Sequence, residues 1–336
     1  MIQFGWDMPG TGFFRADPPA GSPFAGCVFQ IFANGENQTY KNFTWNAWGK
    51  RAYESSELKE AFEDLRAGRS NPLLTGSFLR MNASPGDLDW FDDFGSVLGN
   101  FRLAALLTAV GGARGIFLDV EEYAGRVFTY ANQPLAAEHS WADYALQTEQ
   151  RGFEIMSAIQ SGNPGAKLAL SFGPSLVWKL SREGKLAARE ISYGLLVPFI
   201  DGLVRAADRE GQLIDGYELS YGYRTPVQFW EGYERMRQAR ESLLSDPAKA
   251  ASVMSFGFGI WLDFDKRWSH AWHWRNHFSP AKLERSLRAA MEQTDWLVWI
   301  YNEAVHFWPG EHGIKPIPPA YLAAIRSAAS TYKSEA

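Results

Sequence analysis

Apolar runs of seven to eleven residues recur along the chain at 2–8, 26–32, 73–81, 115–121, 167–173, 214–221, 252–262 and 296–303. Each is bounded by turn-forming residues and is rich in β-branched and aromatic side chains, the pattern of buried strands. The intervening segments change period. Residues 55–68, 89–112, 141–162, 194–211, 228–245 and 281–294 space their apolar positions three and four apart with charges between, which predicts helices. The gap at 9–25 is the exception, because Pro and Gly crowd it. Eight strands alternating with segments able to cross over predict one (β/α)8 barrel over residues 1–336. The excess over the usual ~250 residues of such a barrel falls in loops after strands two, four and seven, at 33–54, 122–140 and 263–280. Loops at the C-terminal ends of strands are where a barrel keeps its site.

Three of these runs end in acids. IFLDVEEY (116–123) passes from Ile116, Phe117 and Leu118 to Asp119, Glu121 and Glu122, WLVWIYNE (296–303) ends in Glu303, and IDGYELSYGY (214–223) carries Glu218. An unpaired buried carboxylate is costly, so a strand ending this way delivers its acids to a site or a solvated rim. Side chains alternate along a strand. Alternation sends Asp119 and Glu121 inward and Leu118 and Val120 under the helices. By the same parity Tyr301 and Glu303 share the inner face, and Glu218 goes inward with Gly216 and Ser220. The pattern therefore converges Asp119, Glu121, Glu218 and Glu303 on one mouth, with Glu122 at its rim.

Composition narrows the partners. The net charge is −5 with 21% charged residues, so nothing resembles the basic footprint of a nucleic-acid binder. No apolar run approaches the ~18–20 residues of a membrane span. No leader of the basic-then-apolar kind is visible, which leaves the compartment open between the cytoplasm and a leader-cleaved location. Cys27 is the single cysteine, set in the apolar run GCVFQIF, and reads as a buried, inert thiol. Tryptophan is the outlier, at 14 residues beside 13 Tyr and 23 Phe. Several indoles sit in polar, loop-like sequence: Trp6 next to Asp7, Trp45 and Trp48 in NFTWNAWGK, and Trp268, Trp272 and Trp274 in DKRWSHAWHWRNH. Indole faces stack on the C–H faces of sugars, so Trp6, Trp45, Trp48 and Trp261 are candidate sugar platforms. Asp7, Tyr221 and Tyr301 are candidate hydroxyl contacts.

Two facing carboxyl groups are the machinery of glycoside hydrolysis, one as acid and the other as nucleophile or base. Carboxylates at barrel strand ends inside a Trp-rich rim resemble the (β/α)8-barrel glycoside hydrolases, a resemblance of architecture over most of the chain. Asp119-Val120-Glu121 followed by Tyr123 looks like the end of the D-x-E strand of family 18 chitinases. The earlier acids of that motif are absent, with Gly115, Phe117 and Leu118 in that stretch. The resemblance implies that Glu121 is the acid and that Asp119 steadies a substrate group or Glu121 itself. Either Glu303 or Glu218 is the partner, the former suggesting inversion of the anomeric centre and the latter retention. The same acids could instead hold a divalent metal, as in barrel sugar isomerases. His270 and His273 are three apart but have no carboxylate at matching spacing, and HEXXH, a phosphate loop and a dinucleotide fingerprint are all absent. No cofactor and no metal are therefore expected. A carbohydrate-binding barrel without catalysis is the third reading, opposed by the converging acids. Oligomeric state is unreadable.

Overall fold

The computed structural model describes residues 1–36, 42–123, 127–308 and 313–333, without the side chains of residue 266 and residues 331–333. Eight parallel strands close into a barrel in sequence order: β1 (Ile2–Gly5), β2 (Gly26–Phe29), β3 (Phe78–Asn82), β4 (Gly115–Asp119), β5 (Lys167–Leu170), β6 (Leu213–Asp215), β7 (Met254–Trp261) and β8 (Leu297–Asn302). β8 closes on β1 in parallel register, Ile2 opposite Trp299 and Gly5 opposite Asn302. Every strand lies within or beside an apolar run of the sequence, and the ends are trimmed where polar residues begin. The run at 73–81 opens instead with one helical turn, Pro72–Thr75, and its strand starts at Phe78.

Helices cover the outside. They are α1 (Lys59–Ala67), α2 (Gly95–Gly111), α3 (Trp141–Gly162), α4 (Pro174–Gly184), α5 (Leu196–Ala206), α6 (Pro226–Leu243), α7 (Pro280–Gln293) and α8 (Pro319–Lys333). Capping boxes start α3, Ser140 with Asp143, and α6, Thr225 with Gln228, which also has Pro at its first position. The 9–25 gap holds only a 3₁₀ turn, Thr11–Arg15. α4 and α8 lie outside the predicted helices. α4 begins directly after the β5 run, and α8 follows the last strand. No described helix is long and apolar enough to cross a membrane.

Strand alternation divides the apolar residues in two. Ile2, Phe4, Val28, Phe78, Phe117, Ala169, Ile214, Leu297 and Trp299 fill the barrel. Their neighbours in sequence, such as Ile116, Leu118, Val298 and Ile300, pack under the helices. Phe4, Phe117 and Trp299 contact one another edge to face or tilted at 5.0–5.7 Å and plug the interior. That plug is the floor beneath the mouth. Cys27 lies in the outer layer, wholly buried, and burial pushes its thiol up to about 12, so it is inert.

Candidate active site

Above the plug the C-terminal ends of the strands enclose a cavity of about 570 Å³. Its wall includes Trp6, Trp45, Arg80, Asp119, Glu121, Tyr123, Glu218, Tyr221, Trp261, Tyr301 and Glu303. All four acids singled out from the sequence thus meet in one space. β4 delivers Asp119 as its last residue and Glu121 two positions on, both on the face that Phe117 sets below. β8 delivers Tyr301 and Glu303 by the same parity.

Glu218 arrives differently. β6 stops at Asp215, and Glu218 stands on a 3₁₀ turn, Glu218–Ser220. The turn is entered through Tyr217, whose φ of 49° is left-handed, uncommon for a residue with a side chain. Ser220 does not face the interior. Its hydroxyl bonds Tyr217 O (2.7 Å) and Gly259 O (2.8 Å), tying the turn to β7. On the other side Glu218 N donates to Ser171 O at 3.1 Å. Beneath it the buried Asp215 carboxylate accepts Gly173 N (2.9 Å), Tyr217 N (3.1 Å) and Ser175 Oγ (3.2 Å). Gly173 is required there, because a Cβ would lie 2.4 Å from Asp215 Oδ2.

Asp119 is the most constrained acid. Arg80 Nη2 donates to its Oδ2 at 2.6 Å, joined by Asn82 Nδ2 (3.3 Å) and the Tyr123 hydroxyl (3.1 Å), while Oδ1 accepts Glu121 N at 3.2 Å. Burial works against the Arg80 charge, and Asp119 with Tyr123 overcomes it, so the guanidinium is held above its ordinary value. Its Cζ lies 5.1 Å from the centroids of both the Phe4 and Trp45 rings. Arg80, which lines the cavity, and Asn82 are Asp119 partners that the sequence reading missed. The available signal was period-2 alternation along β3, which puts 78, 80 and 82 on the inner face and pairs Asn82 with Asp119 in register.

Glu121 and Glu218 line the same cavity, and each influences the ionisation of the other. Burial raises the Glu218 carboxyl well above the usual range, and the charges of Glu121 and Asp119 push it further. Glu121 is raised as well, first by burial and then by Asp119, against the Tyr123 hydroxyl and the Arg80 charge. Burial and like charge thus act on both carboxyls in favour of the protonated form, and more strongly on Glu218. The Tyr221 hydroxyl donates to Glu218 Oε1 at 2.9 Å. Glu303 stands apart from the pair. Its carboxylate accepts the Tyr301 hydroxyl at 3.1 Å, and that hydroxyl accepts Trp6 Nε1 at 3.0 Å.

The remaining candidates divide. Trp6, Trp45, Trp261, Tyr221 and Tyr301 line the cavity, with the Trp6 ring 64% exposed. Trp48 does not. It is buried among Trp90, Phe94, Phe101, Phe128 and Phe199, since its segment turns under the loop rather than over the mouth. Asp7 is also structural, being 1% exposed. Its two oxygens are taken by Gln3 Nε2 (2.7 Å), Asn302 Nδ2 (2.8 Å), Phe307 N (2.6 Å) and Trp308 N (3.4 Å), leaving no room for a substrate hydroxyl. Trp268 packs on Tyr321, and Trp272 and Trp274 flank Arg275 outside the cavity wall. Glu122 accepts Phe128 N at 2.7 Å and braces its own loop.

A (β/α)8 barrel with an acidic, aromatic-walled mouth is the class that these observations define. No protein-family model matches the sequence, and no curated protein matches it. Among solved structures the chain is similar to the catalytic domain of a hyperthermophilic chitinase from Pyrococcus furiosus, at 7% identity and a TM-score of 0.51, over 98% of this chain and 96% of that one. It is also similar to active domain 2 of a thermostable chitinase from the same organism, 7% identical with a TM-score of 0.49 over 98% and 95%. A third is a Bacteroides ovatus GH5 xyloglucanase, 11% identical with a TM-score of 0.47 over 96% and 68%. At these identities the likeness is one of fold, the (β/α)8 barrel.

Proposed function

We propose that the protein hydrolyses glycosidic bonds, with Glu121 and Glu218 as its catalytic pair. The observation that carries this reading is the convergence of two carboxyls, both raised by burial and by neighbouring acids, in one aromatic-walled cavity. A general acid must be protonated near neutral pH while its partner is anionic, and a coupled pair of this kind supplies both states. Strands four and six stand closer round the barrel than four and eight, so the pair Glu121 and Glu218 favours retention, where the carboxyls lie about 5–5.5 Å apart, over inversion at about 6.5–9.5 Å. Glu121 protonates the leaving oxygen after taking a proton from Glu218. Glu218, left anionic and steadied by Tyr221, attacks the anomeric carbon. Asp119 fixes the Glu121 backbone and is itself fixed by Arg80. Trp6, Trp45 and Trp261 supply faces on which sugar rings stack.

The test is turnover of a panel of oligosaccharides and activated aryl glycosides by the wild type and Glu121→Gln. The variant keeps shape and removes the acid, so oligosaccharide turnover falls by about 10²–10⁴ with folding intact. Aryl glycosides, which need little protonation, suffer less, and the first-formed sugar keeps its anomeric configuration by NMR. Undiminished turnover in the variant overturns the reading. Activity lost to chelator and restored by a divalent metal transfers it to the metal-dependent sugar enzymes.

A further inference from the structure

Assigning Glu218 as the partner of Glu121 leaves Glu303 without a role in bond cleavage. Among the described residues it forms no ion pair. Four carboxylates line the cavity against one cation, and that cation, Arg80, is committed to Asp119 and wedged between two rings. Even were one of these acids protonated, the wall would carry surplus negative charge, which opposes uronic acids and sulfated sugars.

The surroundings of Glu303 are aromatic. Tyr301 and Tyr221 stack at 5.6 Å with 16° between their planes, and Trp261 meets both edge to face. Trp6, its N–H tied to the Tyr301 hydroxyl, keeps its ring exposed beside them. An unpaired carboxylate flanked by open indole and phenol rings attracts a cation twice, by charge and by the ring quadrupoles. Sugars bearing a protonated amine combine such a cation with C–H faces that stack on indoles. Resting on the glycosidase reading, we infer that the substrate is an amino-sugar chain with free amines, one of which pairs with Glu303.

Binding by the slow variant Glu121→Gln separates the two ideas. Calorimetry uses β-1,4-linked tetramers of glucosamine, N-acetylglucosamine and glucose, with Glu121→Gln/Glu303→Gln alongside and thermal melting as the folding control. The glucosamine tetramer should bind at least about tenfold more tightly than the glucose tetramer, and removing Glu303 should bring that ratio down to about one to three. The N-acetylated tetramer, which lacks the charge, should show no such dependence on Glu303. A ratio near one, or a preference that survives loss of Glu303, overturns the inference and leaves the glycosidase reading standing. Failure of all three tetramers to bind, with the fold intact, counts against both.

Discussion

Asp215 offers a quantitative test of how the cavity is held. It is wholly buried at the end of β6, and burial raises its carboxyl from 3.8 to about 6, against the three donors that favour the charged form. A carboxyl whose folded value exceeds its unfolded value costs nothing when protonated in both states. Its cost grows as pH rises between the two values and is complete above the folded one. Each pH unit of displacement corresponds to about 1.4 kcal/mol, so the ionised group carries a penalty of about 3 kcal/mol. Asp215→Asn removes the titration and keeps the shape, with the Ser175 hydroxyl free to turn and accept. The stability of the wild type relative to Asp215→Asn should therefore fall by about 3 kcal/mol between pH 3 and pH 7 and then level off. Urea unfolding of both proteins at half-unit intervals gives that difference directly, since the other acids cancel. Asp215→Ala should behave otherwise, stranding three buried donors at a cost of about 1–3 kcal/mol each at every pH. It should also lower kcat more than Asp215→Asn does, because Tyr217 N and the turn carrying Glu218 lose their anchor. Parallel pH profiles for the wild type and Asp215→Asn would refute the reasoning.

Two further perturbations separate wall from core. Trp48→Ala should cost about 3–5 kcal/mol of stability, as for a large side chain cut out of a packed core. Trp6→Ala should leave the melting temperature nearly unchanged and raise KM for an oligosaccharide by about tenfold. Equal effects of the two on stability would contradict the placement of either ring. Arg80→Met removes one member of a buried ion pair and leaves Asp119 uncompensated, so calorimetry or denaturant titration should record a loss of about 3–5 kcal/mol. A neutral or stabilising result would mean that Asp119 finds another partner or a proton.

Barrel order was readable because eight strands repeat one local rule, and the rule is strong wherever a strand is buried on both faces. β4 and β8 show why it extended to the acids: inward parity set by Phe117 and Trp299 runs on unbroken to Glu121 and Glu303. Arg80 was equally accessible to that rule, since it shares a face with Phe78, but an arginine in an apolar run does not announce itself as acids at a strand end do. Trp45 and Trp48 were not separable from sequence. They stand three residues apart in one polar loop, and only the packing of Trp90, Phe101 and Phe199 around the second decides which is core. Asp7 was misplaced for a related reason, because its neighbour Trp6 does face the cavity while Asp7 turns back onto Gln3 and Asn302.

Glu218 reached the predicted place by a route that alternation does not describe. Parity from Ile214 through Gly216 to Glu218 assumes an extended strand, yet the chain leaves the sheet after Asp215. What returns Glu218 to the mouth is a set of ties across neighbouring strands: Glu218 N to Ser171, Tyr217 N to Asp215, and the Ser220 hydroxyl to Gly259. A left-handed residue is costly unless its surroundings fix it. Here those surroundings set a carboxyl in the cavity that Glu121 lines while its own backbone stays on a turn. A strand end presents its side chain at a position dictated by the barrel, whereas a tied turn can carry one inward by a few ångströms. The meeting of Glu218 with Glu121 in one cavity follows from that freedom.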